Sequence, residues 1–408
     1  MTNCRHCQSI LKHTFLDLGH APPSNAYLSQ KDLNSPEVHL PLKIKVCDRC
    51  WLVQTEDHTS FDKIFTEDYA YFSSTSSSYL LHAKDYSNKM IKELNLDKDS
   101  YVIEIASNDG YLLKNFIEKK IPCLGIEPTK STADVAEKYN IPVMKEFFGE
   151  RVSKQLASEG KQADLIIANN VYAHVPDIND FTKGLKAALK INGTLSLEFP
   201  HLLNLIEYTQ FDTIYHEHFS YLSLNTVDHI FASFGLRVWD VEEISTHGGS
   251  LRVYGCHQND KRKTKKNVND LLKKETIKGI HKLETYMSFK DKVNKIKDDL
   301  LLFLIEQKRQ SDNIIAYGAA AKGNTFLNYA GVKNDLIDFV VDKSPYKQGK
   351  FLPASHIPIV SEEKISEIKP KYVLILPWNI KEEVIEQLSY IRKWNGKFVV
   401  AIPNLRTI

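Results

Sequence analysis

Short runs of apolar residues recur along the chain and alternate with segments whose apolar positions have helical spacing. The first four runs occupy residues 101–106, 123–127, 164–168 and 194–199. Each has the length of a strand, and helical spacing follows the first run at 112–117 and the second at 132–139. Because strands that alternate with helices form parallel sheets with helices on both faces, this part of the chain is predicted to be a doubly wound α/β domain.

The alternation stops and then resumes in the C-terminal part of the chain. Between 257 and 312 the apolar residues Val293, Ile296 and Leu300 keep helical spacing, which predicts one long surface helix with a single packed stripe. Four more apolar runs follow, at 314–318, 336–342, 372–376 and 398–402. They predict a second doubly wound, Rossmann-like domain.

The N-terminal residues show neither pattern and are expected to be irregular, with little core of their own. The length of 408 residues suits two or three domains. We therefore divide the chain into a small module at 1–66, a first α/β domain at 67–240 that opens with a helix over 77–96, and a second α/β domain at 241–408.

Charge and hydropathy exclude several classes of protein. The formal net charge is +2, which argues against nucleic-acid binding through bulk positive charge. No run approaches the ~20 apolar residues of a membrane span, and the first residues lack the apolar segment of a secretory signal. A cytoplasmic protein with reduced cysteines is therefore expected, without nucleic-acid or membrane partners.

Four of the six cysteines form two Cys-x-x-Cys pairs separated by 39 residues. They are Cys4, Cys7, Cys47 and Cys50. Two such pairs can place four thiolates tetrahedrally around Zn²⁺, in a closed structural site without an open position. The alternatives are a redox dithiol or free cysteines, but neither pair lies in a thioredoxin-like βαβ context. Cys123 and Cys256 fall in predicted strands and are expected to be core thiols.

A loop of small and polar residues follows the first predicted strand, and Glu127 ends the second. This is the layout of a class I S-adenosylmethionine methyltransferase, in which the acid accepts hydrogen bonds from both ribose hydroxyls. A dinucleotide fold also places an acid there, but it requires Gly-x-Gly-x-x-Gly, whereas this loop has one glycine and Asp109, which would repel a diphosphate. The candidate cofactor-binding residues are Glu104, Ala106, Asn108, Asp109, Gly110, Glu127, Asn169 and Asn170.

Histidines and a tyrosine follow the third and fourth predicted strands, where such sheets bind their ligands. His174 follows the third strand, and residues 215–218 read Tyr-His-Glu-His. A zinc site or a hydrogen-bonded structural corner are the alternatives, although no third metal ligand is evident. Because a histidine can act as a base near neutral pH, the cluster predicts proton abstraction, with phenols and a second imidazole stabilising an enolate oxygen.

Two further segments carry candidate chemistry. The aromatic stretch around Tyr69 and Tyr71 is either a packed linker or a lid that brings a phenol into the site. In the second domain, residues 318–321 would open a helix whose free N–H groups face an anion, and Lys322 in its first turn suggests a phosphate partner rather than solvent. Asn379 is expected to cap a helix.

These motifs together resemble the nucleotide-sugar C-methyltransferases that make branched deoxysugars, and the resemblance covers nearly the whole chain in order. The motifs are the two Cys-x-x-Cys pairs, Asp-Tyr-x-Tyr-x-Ser-Ser at 68–74, Glu-Ile-Ala-Ser-Asn-Asp-Gly at 104–110, Asn-Asn-x-x-x-His-Val-x-Asp at 169–177, Tyr-x-Glu-His at 215–218, His-Gly-Gly-Ser-Leu-Arg at 247–252, Tyr-Gly-Ala-Ala-Ala-Lys-Gly-Asn-Thr at 317–325, Asp-Lys-Ser-Pro at 342–345 and Lys-Gln-Gly-Lys at 347–350.

The resemblance implies a zinc module, a methyltransferase domain and a C-terminal domain that helps to hold a nucleotide-diphosphate keto sugar. It implies that a 4-keto sugar loses a proton beside the keto group and that the enolate takes the methyl group of S-adenosylmethionine. His218 would be the base and Glu217 would orient it, while Tyr215, His174 and Tyr69, or alternatively Tyr71, would line the sugar. The substrate contacts in the C-terminal domain would be Gly318, Lys322, Asn324 and Lys347. The chain departs from the family at 350–356, which lacks the usual Pro-Gly.

Two other functions compete with this interpretation. An NAD-dependent oxidoreductase or epimerase is weakened by the absence of Gly-x-Gly-x-x-Gly after either first strand. A zinc adaptor built on an inactive methyltransferase fold is weakened by the groups present at 174 and 215–218. The sequence is compatible with a monomer.

Overall fold

The computed structural model describes residues 2–56, 74 and 77–408, so Tyr69 and Tyr71 lie outside the described residues. The N-terminal module contains three antiparallel strands, β1 (His13–Ala21), β2 (Leu40–Val46) and β3 (Val53–Thr55). Ile44 and Val46 are fully buried. The expectation of an irregular module is therefore wrong, because alternate residues of β2 are apolar even though lysines interrupt the run.

The first α/β domain is built on a seven-stranded sheet. Its seven strands are β4 (Val102–Ile105), β5 (Cys123–Ile126), β6 (Val143–Met144), β7 (Ala163–Asn169), β8 (Leu189–Pro200), β10 (Leu236–Ile244) and β11 (Ser250–His257). A short strand outside this sheet, β9 (Ser220–Tyr221), lies between β8 and β10 in the chain. The order in the sheet is β10-β11-β8-β7-β4-β5-β6, with β8 to β6 parallel and the β10–β11 hairpin antiparallel. The predicted strands and the doubly wound fold are confirmed.

Helices cover both faces of this sheet. They are α1 (Ser77–Glu93), α2 (Lys114–Glu118), α3 (Lys130–Glu137), α4 (Glu150–Ser158), α5 (Ile178–Ala188), α6 (Leu202–Glu207) and α7 (Leu224–Ser233). The sheet itself extends to His257 and thus beyond the boundary predicted after residue 240. The two added strands form a hairpin without an intervening helix, so the alternation of strands and helices did not reveal them.

The strand β9 does not join the seven-stranded sheet but adds to the N-terminal one. It pairs with β3 through Val53 opposite Tyr221 and Gln54 opposite Ser220, which gives the order β1-β2-β3-β9. The N-terminal module is therefore completed by a strand that directly follows the predicted catalytic segment 215–218.

Three helices replace the single long helix predicted between 257 and 312. They are α8 (Lys266–Ile277), α9 (Leu283–Met287) and α10 (Phe289–Arg309). Gly279 has φ +83° between the first two, a conformation that ends a helix and favours glycine. The predicted stripe is correct within α10, where Val293, Ile296 and Leu300 are buried.

The C-terminal domain has a six-stranded sheet in the order β14-β13-β12-β15-β16-β17. Its elements are β12 (Ile314–Tyr317), α11 (Ala321–Ala330), β13 (Val340–Val341), β14 (Ile359–Val360), α12 (Glu363–Ile368), β15 (Tyr372–Ile375), α13 (Lys381–Gln387), β16 (Lys397–Val400) and β17 (Arg406–Thr407). All neighbours are parallel except β16 and β17. The prediction of a second Rossmann-like domain is confirmed.

A single apolar core joins the two ends of the chain. The stripe of α10 packs both on the C-terminal sheet, through residues such as Ile314, and on the N-terminal sheet, where Phe289 stacks on Phe15 with ring centroids 4.7 Å apart. The module and the C-terminal domain thus share their core. Within the described part of the chain, no helix combines the length and the apolar character needed to span a bilayer.

Candidate active site

The four paired cysteines converge at one end of the N-terminal sheet. Their sulfur atoms all lie within 4.8 Å of one another, with Cys4 Sγ 3.5 Å from Cys50 Sγ and Cys7 Sγ 3.5 Å from Cys47 Sγ. A tetrahedral ZnS₄ centre with bonds of about 2.3 Å places its sulfurs about 3.8 Å apart, so the cluster fits a zinc ion. The predicted convergence of these cysteines is confirmed.

The zinc module contacts the predicted catalytic segment directly. Gln54 donates from Nε2 to Cys4 Sγ (3.2 Å), and the next residue, Thr55, donates its backbone N–H to the Phe219 carbonyl (3.2 Å). Thr55 Oγ1 also donates to the His218 carbonyl (3.3 Å). Strand β3 thus connects the cysteine cluster to the backbone around His218.

Two imidazoles, one buried (His218) and one half-buried (His174), face each other at the carboxyl edge of the seven-stranded sheet. The rings of His174 and His218 meet edge to face with centroids 4.6 Å apart. His218 Nδ1 donates to the Thr213 carbonyl (2.7 Å), and His174 Nδ1 donates to the Glu217 carbonyl (2.8 Å). Because a carbonyl only accepts, Nδ1 carries the proton in each ring and Nε2 is the basic nitrogen.

Burial keeps both rings neutral. It lowers the pKa of His174 to about 4, and burial together with the neighbouring His174 lowers the pKa of His218 well below its usual value. Tyr215 lies against the same ring, with its centroid 4.0 Å from that of His218. The cluster therefore offers two proton acceptors and a phenol, whereas the sequence suggested that the second imidazole would be a donor.

Glu217 does not meet the ring that it was predicted to orient. Its Oε1 accepts from Asn25 Nδ2 (2.7 Å), and the Thr213 carbonyl orients His218 instead. The predicted orienting role is therefore wrong: the two residues are adjacent in the chain, but their side chains meet different partners. Burial raises the pKa of Glu217 to about 6.

The loop after β4 has a tight backbone conformation in which two non-glycine residues are left-handed and Gly110 packs closely against the protein. Ala106 and Asn108 have φ values of +52° and +51°, and a Cβ on Gly110 would lie 2.4 Å from Ile141 Cδ1. Glu127 Oε2 accepts from the Asn108 N–H (2.9 Å), so this carboxylate fixes the loop while retaining lone pairs for a ligand.

Acceptor oxygens line the same loop. Glu104 Oε2, Asp109 Oδ1 and Asn169 Oδ1 are buried and have no hydrogen-bond partner among the described residues. Burial, with Asp109 and Glu127 nearby, raises the pKa of Glu104 well above its usual value. Buried acceptor oxygens without a partner among the described residues, together with closely spaced carboxyl groups, favour a positively charged ligand. S-adenosylmethionine carries an ammonium and a sulfonium charge, so the residues present fit this cofactor. Asn170 follows β7 and donates its backbone N–H to the Glu198 carbonyl of the neighbouring strand β8 (2.7 Å).

A buried ion pair joins the adjacent strands β8 and β11 of the seven-stranded sheet. Arg252 Nη2 lies 2.9 Å from Glu198 Oε2, and His82 Nε2 on α1 lies 3.4 Å from the same oxygen. Burial alone would raise the pKa of Glu198, but His82 and Arg252 outweigh it and lower that pKa to about 2. The stabilisation is therefore present above the usual carboxyl pKa and is lost as the pH falls towards 2.

We expect Arg252→Met to lower the free energy of unfolding by about 3–5 kcal/mol, because it leaves the Glu198 carboxylate buried without its cation. Arg151→Met is the matched control, since Arg151 pairs with Glu146 at the surface and such pairs contribute about 0–1 kcal/mol. Urea unfolding at pH 7 measures both. Equal losses for the two variants would contradict the role of the buried pair.

The C-terminal domain presents a cation to this region. Lys322 Nζ donates to Asn379 Oδ1 (2.9 Å) and lies 4.9 Å from the centre of a Trp378 ring. Burial lowers the pKa of Lys322. Trp378 Nε1 donates to Asp212 Oδ2 (2.7 Å), which brings the domains together next to Thr213. Asn379 therefore binds Lys322, and the predicted capping role is wrong because α13 begins only at Lys381.

The other predicted substrate contacts of the C-terminal domain bond within the protein. Asn324 is buried and donates to the Ser24 carbonyl (2.6 Å), so it joins the domain to the N-terminal module. Lys347 donates to the Ala319 carbonyl (2.7 Å). Gly318 has φ +93°, and a Cβ there would lie 2.5 Å from Pro377 Cδ, so packing already requires this glycine.

Several contributing residues were not identified from the sequence. Asp212, Thr213, Trp378 and Asn25 come from turns whose contacts depend on how the domains pack. Only the position of Trp378, just past the carboxyl end of β15, could have indicated it.

Three family models match consecutive parts of the chain. A zinc binding domain matches residues 4–65, a methyltransferase domain matches 80–241, and a C-methyltransferase C-terminal domain matches 245–403. The chain is 31% identical over 405 residues to C-methyltransferase NovU of Streptomyces niveus, covering 99% of this chain and 96% of that protein.

Two solved structures to which the chain is similar each match less than half of it. Magnesium protoporphyrin IX methyltransferase from Synechocystis, with bound S-adenosylmethionine, is 14% identical and matches 44% of this chain and 79% of its own, with a TM-score of 0.34. The PH0226 protein from Pyrococcus horikoshii is 14% identical and matches 49% of this chain and 100% of its own, with a TM-score of 0.38. The family models and the Streptomyces protein, not these structures, carry the assignment. The chain belongs to the S-adenosylmethionine-dependent C-methyltransferases with an N-terminal zinc-binding module.

Proposed function

We propose that the methyl acceptor is a nucleotide-activated 4-keto deoxysugar and that the methyl group is added to the carbon beside the keto group. The observation that carries the proposal is the neutral His218 ring, which has a basic Nε2 and packs against the ring of Tyr215 at the ligand edge of the sheet. A base with a neighbouring phenol suits a carbon acid whose enolate oxygen needs a hydrogen-bond donor.

In this mechanism His218 Nε2 removes the proton from the carbon next to the keto group, and the C–H electron pair becomes that of an enolate. The Thr213 carbonyl stabilises the imidazolium through Nδ1. Tyr215 donates its hydroxyl proton towards the enolate oxygen, and His174 Nε2 accepts from a sugar hydroxyl. Bound S-adenosylmethionine supplies the electrophilic methyl group that the enolate carbon takes.

The C-terminal domain would hold the nucleotide diphosphate. Lys322 lies in the first turn of the ten-residue helix α11, where its charge and the free N–H groups of the helix both favour an anion. Lys347 and Gly318 line the same end of the sheet. We accordingly assign cofactor and base to the domain that ends near His257, and the anionic part of the substrate to the domain that follows.

We expect Glu127→Gln to raise the Kd for S-adenosylmethionine about 10- to 100-fold, because an amide is a weaker acceptor for ribose hydroxyls than a carboxylate and clashes with the donating Asn108 N–H. Isothermal titration calorimetry measures this change. Glu159→Gln, at an exposed ion pair with Lys161, is the control and should leave the Kd unchanged. An unaltered Kd for both variants would remove Glu127 from the cofactor site.

The direct test of the function is mass spectrometry of products from a panel of 4-keto nucleotide sugars incubated with the protein and S-adenosylmethionine. A mass gain of one methylene unit on one sugar supports the proposal. Tight NAD binding without S-adenosylmethionine binding would favour the oxidoreductase alternative, and cofactor binding without a product from any sugar would overturn the proposed substrate class.

A further inference from the structure

A strained turn between β10 and β11 packs against Trp378 of the C-terminal domain. His247 in this turn has φ +55° and ψ +20°, a left-handed conformation that residues other than glycine adopt uncommonly. Two glycines follow, Gly248 and Gly249, with φ values of +89° and +110°. Backbone strain of this kind persists only where the surroundings enforce it, and it is concentrated at functional sites.

Contacts from both domains enforce the conformation of the turn. From the methyltransferase domain, Gln210 Nε2 donates to the Gly248 carbonyl (2.8 Å), and the His201 N–H donates to the Gly249 carbonyl (3.1 Å). From the C-terminal domain, the Trp378 ring packs so closely on the turn that a Cβ on Gly248 would lie 2.3 Å from it. The turn is thus held between the two domains.

The base of the turn is tied to the buried ion pair. Thr246 Oγ1 donates to Glu198 Oε1 (3.0 Å), and Ser250 Oγ donates to the Thr246 carbonyl (3.0 Å). Glu198 is held in turn by Arg252. These hydrogen bonds have no role in the proposed mechanism. They fix the position of the backbone that carries His247.

The same contacts lead from the turn to the base. Trp378, which packs on Gly248, donates to Asp212, and the neighbouring Thr213 accepts from His218. A proton on His247 would lower the pKa of both His174 and His218, because like charges at neighbouring positions repel each other. Burial lowers the pKa of His247 itself to about 4, so this ring is neutral at pH 7 and suited to hydrogen bonding with an uncharged group.

We infer that His247 contacts the sugar of the acceptor, as a third imidazole that positions the ring for proton removal by His218. This inference rests on the proposed function. The ligand class is a polar, uncharged group such as a sugar hydroxyl, and the strained turn serves to hold the imidazole at a fixed place between the cofactor-binding domain and the nucleotide-binding domain. His247 would thereby contribute to the choice among keto sugars.

The test is His247→Asn, because asparagine tolerates the left-handed conformation and removes only the imidazole. The matched control is His356→Asn, at an exposed histidine of the C-terminal domain with φ +54°. We expect the first variant to raise KM for the keto sugar about tenfold or more, with an unchanged Kd for S-adenosylmethionine and an unchanged zinc content. The control should keep wild-type values for all three.

Separate outcomes overturn the inference and the proposed function. If the wild-type protein methylates a keto sugar and His247→Asn does so with unchanged KM and unchanged preference among the panel, the inference is wrong. A merely structural role would lower the melting temperature and weaken cofactor binding together with sugar binding, and that pattern also overturns it. If the wild-type protein methylates no keto sugar, the proposed function itself fails.

Discussion

Replacing His218 with alanine is expected to lower the rate of methyl transfer about 10²- to 10⁴-fold and to abolish exchange of the proton beside the keto group with solvent. The reason lies in the geometry of the ring: Nδ1 donates to the Thr213 carbonyl at 2.7 Å, so in the proposed mechanism only Nε2 can take the proton of the sugar. Because burial keeps the ring neutral, it is available as a base across the physiological range.

Exchange is measured by NMR in D₂O without the methyl donor, which isolates proton removal from methyl transfer. His229→Ala is the control, since His229 is an exposed residue of α7 and should retain full exchange. Exchange that persists at the wild-type rate in His218→Ala would transfer the role of the base to His174 or to a tyrosine.

The second large effect is expected from the zinc site. Cys47→Ser should reduce the zinc content well below one ion per chain and should destabilise the protein severely, because structural zinc sites bind with apparent free energies on the order of 10 kcal/mol. Catalysis should be lost with the metal, since β3 leads from the cysteine cluster to the backbone of His218 and Phe219.

Cys123→Ser is the matched control for this experiment. Cys123 is buried in β5, apart from the four-cysteine cluster, so its replacement should leave the zinc content at one per chain. Metal analysis and thermal unfolding of both variants provide the measurement. A wild-type protein that contains far less than one zinc ion, or a Cys47→Ser protein that retains a full one, would contradict the assignment.

The sequence allowed the two sheets and the zinc ligands to be predicted because each leaves a local signal. Short apolar runs marked β4, β5, β7 and β8, and the cysteine spacing marked the metal site. The sheet of the N-terminal module was missed because lysines interrupt the apolar positions of β2, and its last strand, Ser220–Tyr221, comes from a distant part of the chain.

His174 and His218 lie together after strands of the first sheet, as their positions in the sequence suggested, but their partners were not foreseeable. His218 is oriented by the backbone carbonyl of Thr213, which any residue type could supply. Glu217 meets Asn25, 192 positions earlier, and Asp212 meets Trp378, 166 positions later. Such contacts depend on how separate domains pack, and no spacing within the chain encodes them.

The core shared by the two ends of the chain has a consequence for how the protein reaches its native state during synthesis. The cysteines and Phe15 leave the ribosome well before Phe289, the apolar partner of Phe15, and the strands of the C-terminal sheet that complete the same core are made after Phe289. The N-terminal sheet therefore keeps an exposed apolar face until these later segments have been synthesised. Early capture of zinc by the nascent chain would hold that sheet together through this interval, and a metal-depleted cell would be expected to accumulate aggregated rather than inactive enzyme.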